Sequence, residues 1–568
     1  MSDPTPAAMP RRSRTSPLRV AVWLLVLAVP VVFLVVFFAY PVLTIVGRGL
    51  FEGGSLDFGA IGEVLSRPRT LRVIGNTLVQ ATVGTGVSVA LSIPTAFVLY
   101  RRSFPGRKFL RSLLLVPFVL PAVVVGVAFR ALLAPHGPLG FLGWDRTLMA
   151  ILLALVFFNV GLVVRMVGTV WESLDPRAEQ AAQTLGASPL RAALTVTLPA
   201  LFPVIGSAAV VVFLFCATAF GVVLVIGGSQ FATIEVEIWL QTTQFLDLKT
   251  AAVLSIVQFG VVILVFWLSS LMRGRQSPPL ALADGTVPAP RLRLGKGGSA
   301  LDRVCTGIAL LTGTLILLPL ATMLIRSFRK DGAWTLGNYV ALGTRGSQAL
   351  TVNVWDAAIN SLRIAVDATA IAVVVGVTLA LVLSRRPRNS GARRAMGLLG
   401  AFVMMPLGVS AVTVGFGFLI SLDRPPLDLR SSLILIPIAQ ALVATPLVVR
   451  SVLPILNGIN PRLHQAAATL GASPTRILLT VDGPLMLRSV GLAAGLSFAI
   501  SLGEFGATSF LVRPDRPTLP IVIYRLLGRP GDGNYEMAVA ASVILAIVAG
   551  TVMTLAERLQ PSTSGPTR

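Results

Sequence analysis

Long, uninterrupted apolar runs constrain this chain more than any other feature. Twelve runs, at roughly 21–46, 77–100, 110–133, 148–170, 206–226, 250–272, 304–325, 361–384, 396–420, 432–453, 489–510 and 537–556, divide into six and six. A helix of about 20 apolar residues crosses the hydrocarbon layer of a bilayer, where the backbone must satisfy its own hydrogen bonds. The expectation is an all-α integral membrane protein with about 12 transmembrane helices. Only 12% of the residues are charged and the mean hydropathy is +0.82. A soluble domain carries about a quarter charged residues.

The polar stretches divide the chain. Residues 1–20 form a basic, Pro-rich N-terminus expected to be disordered, and 561–568 a disordered tail. A first six-helix half covers 21–272, a flexible basic linker 273–303, and a second half 304–560. The first apolar run is too long for a signal-peptide core and lacks a small-residue cleavage site, so it reads as an uncleaved membrane helix. Lys and Arg outnumber Asp and Glu 47 to 24. They cluster after even-numbered helices: Arg101, Arg102, Arg107 and Lys108; Arg273, Arg275, Arg291, Arg293 and Lys296; Arg385, Arg386, Arg388, Arg393 and Arg394. The positive-inside bias places these loops and both termini in the cytoplasm. Anionic membrane lipid is the expected partner of this charge, and no nucleic-acid-binding motif accompanies it. Cys216 and Cys305 form neither a CxxC site nor a disulfide framework, and His136 and His464 make no metal cluster.

The halves repeat one another. QAAQTLGASP from Gln180 returns as QAAATLGASP from Gln465, 285 residues later. Asn76-Thr77-Leu78 and Asn360-Ser361-Leu362 open matching helices, and Arg101-Arg102 and Arg385-Arg386 close them. Phe220-Gly221 matches Phe505-Gly506, and Thr233-Ile234 matches Thr518-Leu519. Equal helix number and polarity make this a parallel repeat about an axis along the membrane normal. Both copies of the polar loop lie between the fourth and fifth helices of their half, hence on the cytoplasmic side. Glu179 to Leu185 has helix-forming composition, Gly186 suits a left-handed stop, and Ser188-Pro189 can cap and start a new helix. Gly471, Ser473 and Pro474 repeat each step. The small exposed residues Ala181, Ala182 and Ala187 permit close approach by another surface.

These loops resemble the EAA motif of permease subunits of binding-protein-dependent ABC importers. Ala181, Ala182, Gly186, Leu198 and Pro199 match it in the first half, and Ala466, Ala467, Gly471 and Pro484 in the second. Gln180 and Gln465 stand where Glu is usual, preceded by Glu179 and His464, and Asp482-Gly483 replaces the expected Leu before Pro484. The resemblance implies a type I permease-like fold in a prokaryotic plasma membrane. It makes Glu179, Gln180, Ala181, Ala182, Gly186 and Ala187, with His464, Gln465, Ala466, Ala467, Gly471 and Ala472, the coupling loops that seat two ATP-binding subunits. The chain contains no GxxxxGK[ST] loop. ATP is therefore expected on the partner subunits, with no cofactor or metal in this chain, which is not itself an enzyme. An extracytoplasmic binding protein is implied as the third component. The stretches 220–242 and 501–527 resemble double-length permeases for thiamine and for iron(III), and the likeness spans about 70–560. Gly503-Glu504-Phe505-Gly506 also occurs in molybdate and sulfate permeases, so those cargoes stay open.

Glu504, read as lying late in the eleventh helix, is either a pathway residue or a structural hydrogen-bonding group. Pro117, Pro121, Pro406 and Pro446 read as helix kinks. Glu235, Glu237 and Asp247 read as outer-surface acids that meet a binding protein or simply face water. An ion-coupled secondary transporter, the rival of a different class, would call for more ionisable groups at mid-membrane and would leave the paired loops unexplained.

Overall fold

The computed structural model describes residues 27–558 apart from 53–54, 274–288, 295–298, 331, 347–348, 386–388, 424, 426–427, 431 and 532. The expected disordered ends, and Arg275, Lys296, Arg386 and Arg388, lie outside the described residues.

Among the described residues, ten continuous helices are long and apolar enough to cross a membrane, and two further apolar segments are each bent into a pair. The segments expected as single helices at 110–133 and 396–420 are these exceptions. Arg107–Val119 turns through 105° into Ala122–Leu133, and Ser390–Leu407 turns through 98° into Ala411–Ser421. The first break has a local cause. Leu120 precedes a proline and adopts an extended backbone, and Pro121 is itself extended and has no amide to continue the helix. The second break uses Pro406 in a single 3₁₀ turn, and Ser410 then caps the next helix by accepting the Thr413 amide. Pro117 starts the short helix Val116–Val119, whereas Pro446 sits inside the continuous helix Leu435–Gly458.

The fifth helix of each half also differs from expectation. The runs at 206–226 and 489–510 are not the true limits: the helices extend over Pro189–Ala217 and Thr475–Gly503. The restart after each repeated loop is thus the membrane helix itself. Beyond each helix the chain breaks, forms one short helix (Gly221–Ile226; Thr508–Leu511), loops, and forms a second (Ile234–Thr243; Leu519–Gly528).

The first helix of each half packs on the other half. Pro41 and Ile45 of Leu27–Leu50 lie against Gly417. Ala300–Ser327 joins the first half through Thr312 to Thr95, Arg102 to Asp302 at 2.8 Å, and Arg326 to the Ala131 carbonyl. Part of the expected linker is ordered: Ser103 donates to the Pro290 carbonyl and accepts from the Leu292 amide. Cys216 and Cys305 are buried free thiols.

Candidate functional site

At one end of the molecule stand the two repeated loops. In the first, Asp175 accepts the Arg177 amide and opens the helix Arg177–Thr184. In the second, Asn460 accepts the Arg462 amide and opens Pro461–Thr469. Each helix ends as its sequence indicates. Gly186 and Gly471 adopt φ of +91° and +79°, which an L side chain rarely tolerates. The amides of Ala187 and Ala472 reach back to the carbonyls of Ala182 and Ala467, a Schellman-type closure. Ser188 and Ser473 accept the Arg191 and Arg476 amides and start the next helix.

Exposure follows the same pattern in both loops. Gln180, Ala181, Gln465 and Ala466 are exposed, while Glu179, Ala182, Ala187, His464, Ala467 and Ala472 are half-buried. Leu185 and Leu470, at the C-caps, are 89% and 88% exposed. One leucine left in water is ordinary. Two at equivalent positions give both loops the same exposed apolar residue, and Leu463 adds a second on the second helix at 49%. The sequence pattern hid them, because a Leu before the Gly stop looks like the apolar side of a helix end.

What holds each helix to the membrane domain was not visible in the sequence. Just past each Ser-Pro start, the helix passes through a single π-helical stretch, Ala193–Thr197 or Leu478–Asp482. The last residue of each stretch reaches back to the loop helix. The Thr197 hydroxyl donates to Glu179 at 2.9 Å, and His464 Nε2 meets Asp482 Oδ1 at 2.6 Å. Glu179 also lies 4.0 Å from Arg101, whose guanidinium donates to the Leu174 carbonyl. Glu179 and His464, which precede the departing Gln180 and Gln465, therefore form the struts between loop and membrane helix with Thr197 and Asp482.

At the opposite end the halves meet on their shared axis. The repeated Asn-Thr and Asn-Ser pairs hold the last short helices. Asn76 donates to the Ala232 carbonyl, and Thr77 accepts the Ile234 amide. Asn360 donates to the Arg516 and Pro517 carbonyls, and Ser361 accepts the Leu519 amide. These bonds fix Trp239 and Tyr524, one on each helix, against two further rings. Phe220 and Phe505 stack with centroids 5.4 Å apart and planes 21° apart. Trp239 meets Tyr524 edge-on at 6.0 Å, and each touches the phenylalanine of its own half, at 6.4 and 5.5 Å. Each cross-axis contact pairs a residue with its own repeat. Pairs of this kind contribute about 0.5–1.5 kcal/mol beyond area burial.

Glu504 closes the eleventh helix instead of lying within it. Its carboxylate accepts the Ala507 amide at 2.7 Å, the Thr508 amide at 3.0 Å and the Thr508 hydroxyl at 2.5 Å. It caps the following turn and holds the break in which Phe505 stands.

Of the three acids expected at the outer surface, Glu235 and Glu237 are buried, while Asp247 stays part-exposed. Glu235 is fully buried and accepts the Ser410 hydroxyl at 2.7 Å, tying the first half to the broken helix of the second. Glu237 is 2% exposed and receives Arg69 at 2.7 Å and Gln241 at 2.6 Å. Asp247 accepts from Thr250 and faces Arg67. Arg130, with Arg146, Tyr524 and the turn 227–230, lines a recess of about 280 Å³. Among the described residues no group of three or more His, Cys, Asp or Glu side chains can hold a metal ion.

The model of the family "Binding-protein-dependent transport system inner membrane component" matches residues 86–275. The chain is 25% identical over 503 residues to the thiamine transport system permease protein ThiP of Brucella abortus, covering 86% of this chain and 88% of the relative. It is 27% identical over 498 residues to the protein of that name from Escherichia coli, covering 84% and 87%. A putative 2-aminoethylphosphonate transport system permease protein, PhnV of Salmonella typhimurium, is 30% identical over 248 residues, which is 43% of this chain and 88% of the relative. A single-length relative thus matches about half of the chain, while double-length relatives match nearly all of it. The chain belongs to the binding-protein-dependent transport system inner membrane components, as a fused, double-length permease subunit of an ABC importer.

Proposed function

We propose that this permease carries thiamine inward, that two separate ATP-binding subunits seat on its repeated loops, and that a binding protein delivers the solute at the opposite face. The observation that carries the coupling role is the pair of exposed helices Arg177–Thr184 and Pro461–Thr469, alike in caps, turn geometry and exposed leucine. Gln180, Ala181, Ala182 and Ala187, with Gln465, Ala466, Ala467 and Ala472, form the seats, and Gly186 and Gly471 set their ends. Glu179 and His464 transmit the motion, because each is bonded directly to the membrane helix that follows. Orientation by basic loops puts the seats and both termini in the cytoplasm and the four-ring cluster near the outer face. Closure of the ATP-binding subunits draws the loops together, tilts the helices Pro189–Ala217 and Thr475–Gly503, and parts the rings. Glu504 serves that movement by keeping Phe505 at the break. The thiamine reading rests on the names of the relatives that span both halves.

The test is uptake of labelled thiamine into vesicles that hold the complete transporter, with binding protein outside and ATP inside. Uptake that requires both is the expected result. Uptake that proceeds without ATP but follows an ion gradient would place the chain among secondary transporters.

A further inference from the structure

One carboxyl group, a helical turn from a ring of the cluster, has hydrogen-bonding capacity that its surroundings leave unanswered. Glu235 is 0% exposed. Its Oε2 accepts the Ser410 hydroxyl, and its Oε1 has no hydrogen-bond partner among the described residues. No basic side chain forms an ion pair with it among the described residues, in contrast to Glu237 two positions on, which holds Arg69. A buried carboxylate left half-satisfied is costly unless something arrives to answer it.

The position of Glu235 connects it to the rings. Trp239 follows one helical turn later, so the two side chains leave the helix Ile234–Thr243 on one face. The Trp239 indole Nε1 is likewise buried without a partner. Ser410 precedes Ala411, whose methyl would stand 3.0 Å from a Cβ placed on Gly506, the neighbour of Phe505. A carboxylate and four aromatic rings are therefore gathered where the two halves meet.

Their combined chemistry selects a ligand class. A carboxyl group ionises when a cation arrives beside it, and then only accepts hydrogen bonds and attracts positive charge. Aromatic faces attract cations and stack on flat rings. A metal ion would find a single carboxyl with no further ligand set among the described residues. We propose that Glu235 and the rings of Phe220, Trp239, Phe505 and Tyr524 form a passing site for a flat, positively charged heteroaromatic solute, engaged as the rings part. The proposal rests on thiamine being the cargo, since its thiazolium ring is such a cation.

Thiamine uptake by the complete reconstituted transporter tests this with three variants. E235Q keeps the shape and removes the ability to ionise, and is expected to lower uptake about tenfold or more in complexes assembled in normal amounts. W239L is expected to lower it about fivefold. S410A removes only the hydroxyl partner and is expected to stay within about threefold of wild type. Unchanged uptake by E235Q overturns the site while leaving thiamine as cargo. Equal losses in E235Q and S410A reduce Glu235 to a tie between the halves and overturn it too. Should E235Q fail to assemble, W239L decides: a loss supports the site and unchanged uptake overturns it. Wild-type complexes that assemble but move no thiamine overturn the cargo reading and this proposal together.

Discussion

The two loops share a shape and differ in the chemistry that holds it. In the first, a carboxylate on the loop helix, Glu179, takes a hydrogen bond from the Thr197 hydroxyl and lies near Arg101. In the second, the carboxylate has moved to the membrane helix as Asp482, and the loop supplies His464. Donor and acceptor have changed places across one 285-residue offset, with the caps, the glycine stop and the π-helical stretch kept. The difference teaches that the fold requires a strut at this point, not a particular residue. It also shows why Gln can occupy positions 180 and 465: both side chains are exposed, and the strut is carried by the neighbour one residue earlier.

Substitutions can break that equivalence or sharpen it. The largest effect is expected from L185D combined with L470D, which places charge at the seat proposed on each loop. Uptake should fall at least about thirtyfold, as loss of ~2 kcal/mol at an interface implies. The single substitutions should agree within about threefold, because two equivalent seats lose the same contact. A large disparity would mean that one loop does most of the docking.

A smaller effect is expected from H464E, which sets a second carboxylate against Asp482. Vesicle uptake should drop about tenfold through like-charge repulsion. Adding D482T transplants the first-half pair into the second half and should restore uptake to within about threefold of wild type. Failure of this rescue would show that the struts are not interchangeable. The smallest effect belongs to T197V, which deletes one hydrogen bond worth ~1 kcal/mol and should cost no more than about fivefold in uptake.

The loops were largely legible in the sequence because their determinants are local. A glycine that must take positive φ, and a Ser-Pro pair that starts a helix, act over three or four residues. The struts were not legible, since Thr197 and Asp482 share no chemistry and Asp482 looked like a departure from pattern. Pro121 and Pro406 read as kinks, but the sharpness of the two turns, 105° and 98°, was not legible for another reason. Apolar composition runs straight through both, and hydropathy measures the length of a run but not its direction. Phe220 and Phe505, and Trp239 and Tyr524, were visible as repeated residues. That each would meet its own repeat across the axis depends on how the halves pack. Glu235 and Glu237 looked like surface acids because only the folded chain brings Ser410 and Arg69 to them.

Both loops are proposed as seats for ATP-binding subunits. Site-directed cross-linking tests this most directly, with cysteines placed at Leu185 and Leu470 after replacement of the buried Cys216 and Cys305. In the assembled transporter both positions are expected to cross-link at once, each to its own ATP-binding subunit. A complex that assembles and transports while neither position cross-links would contradict the proposal.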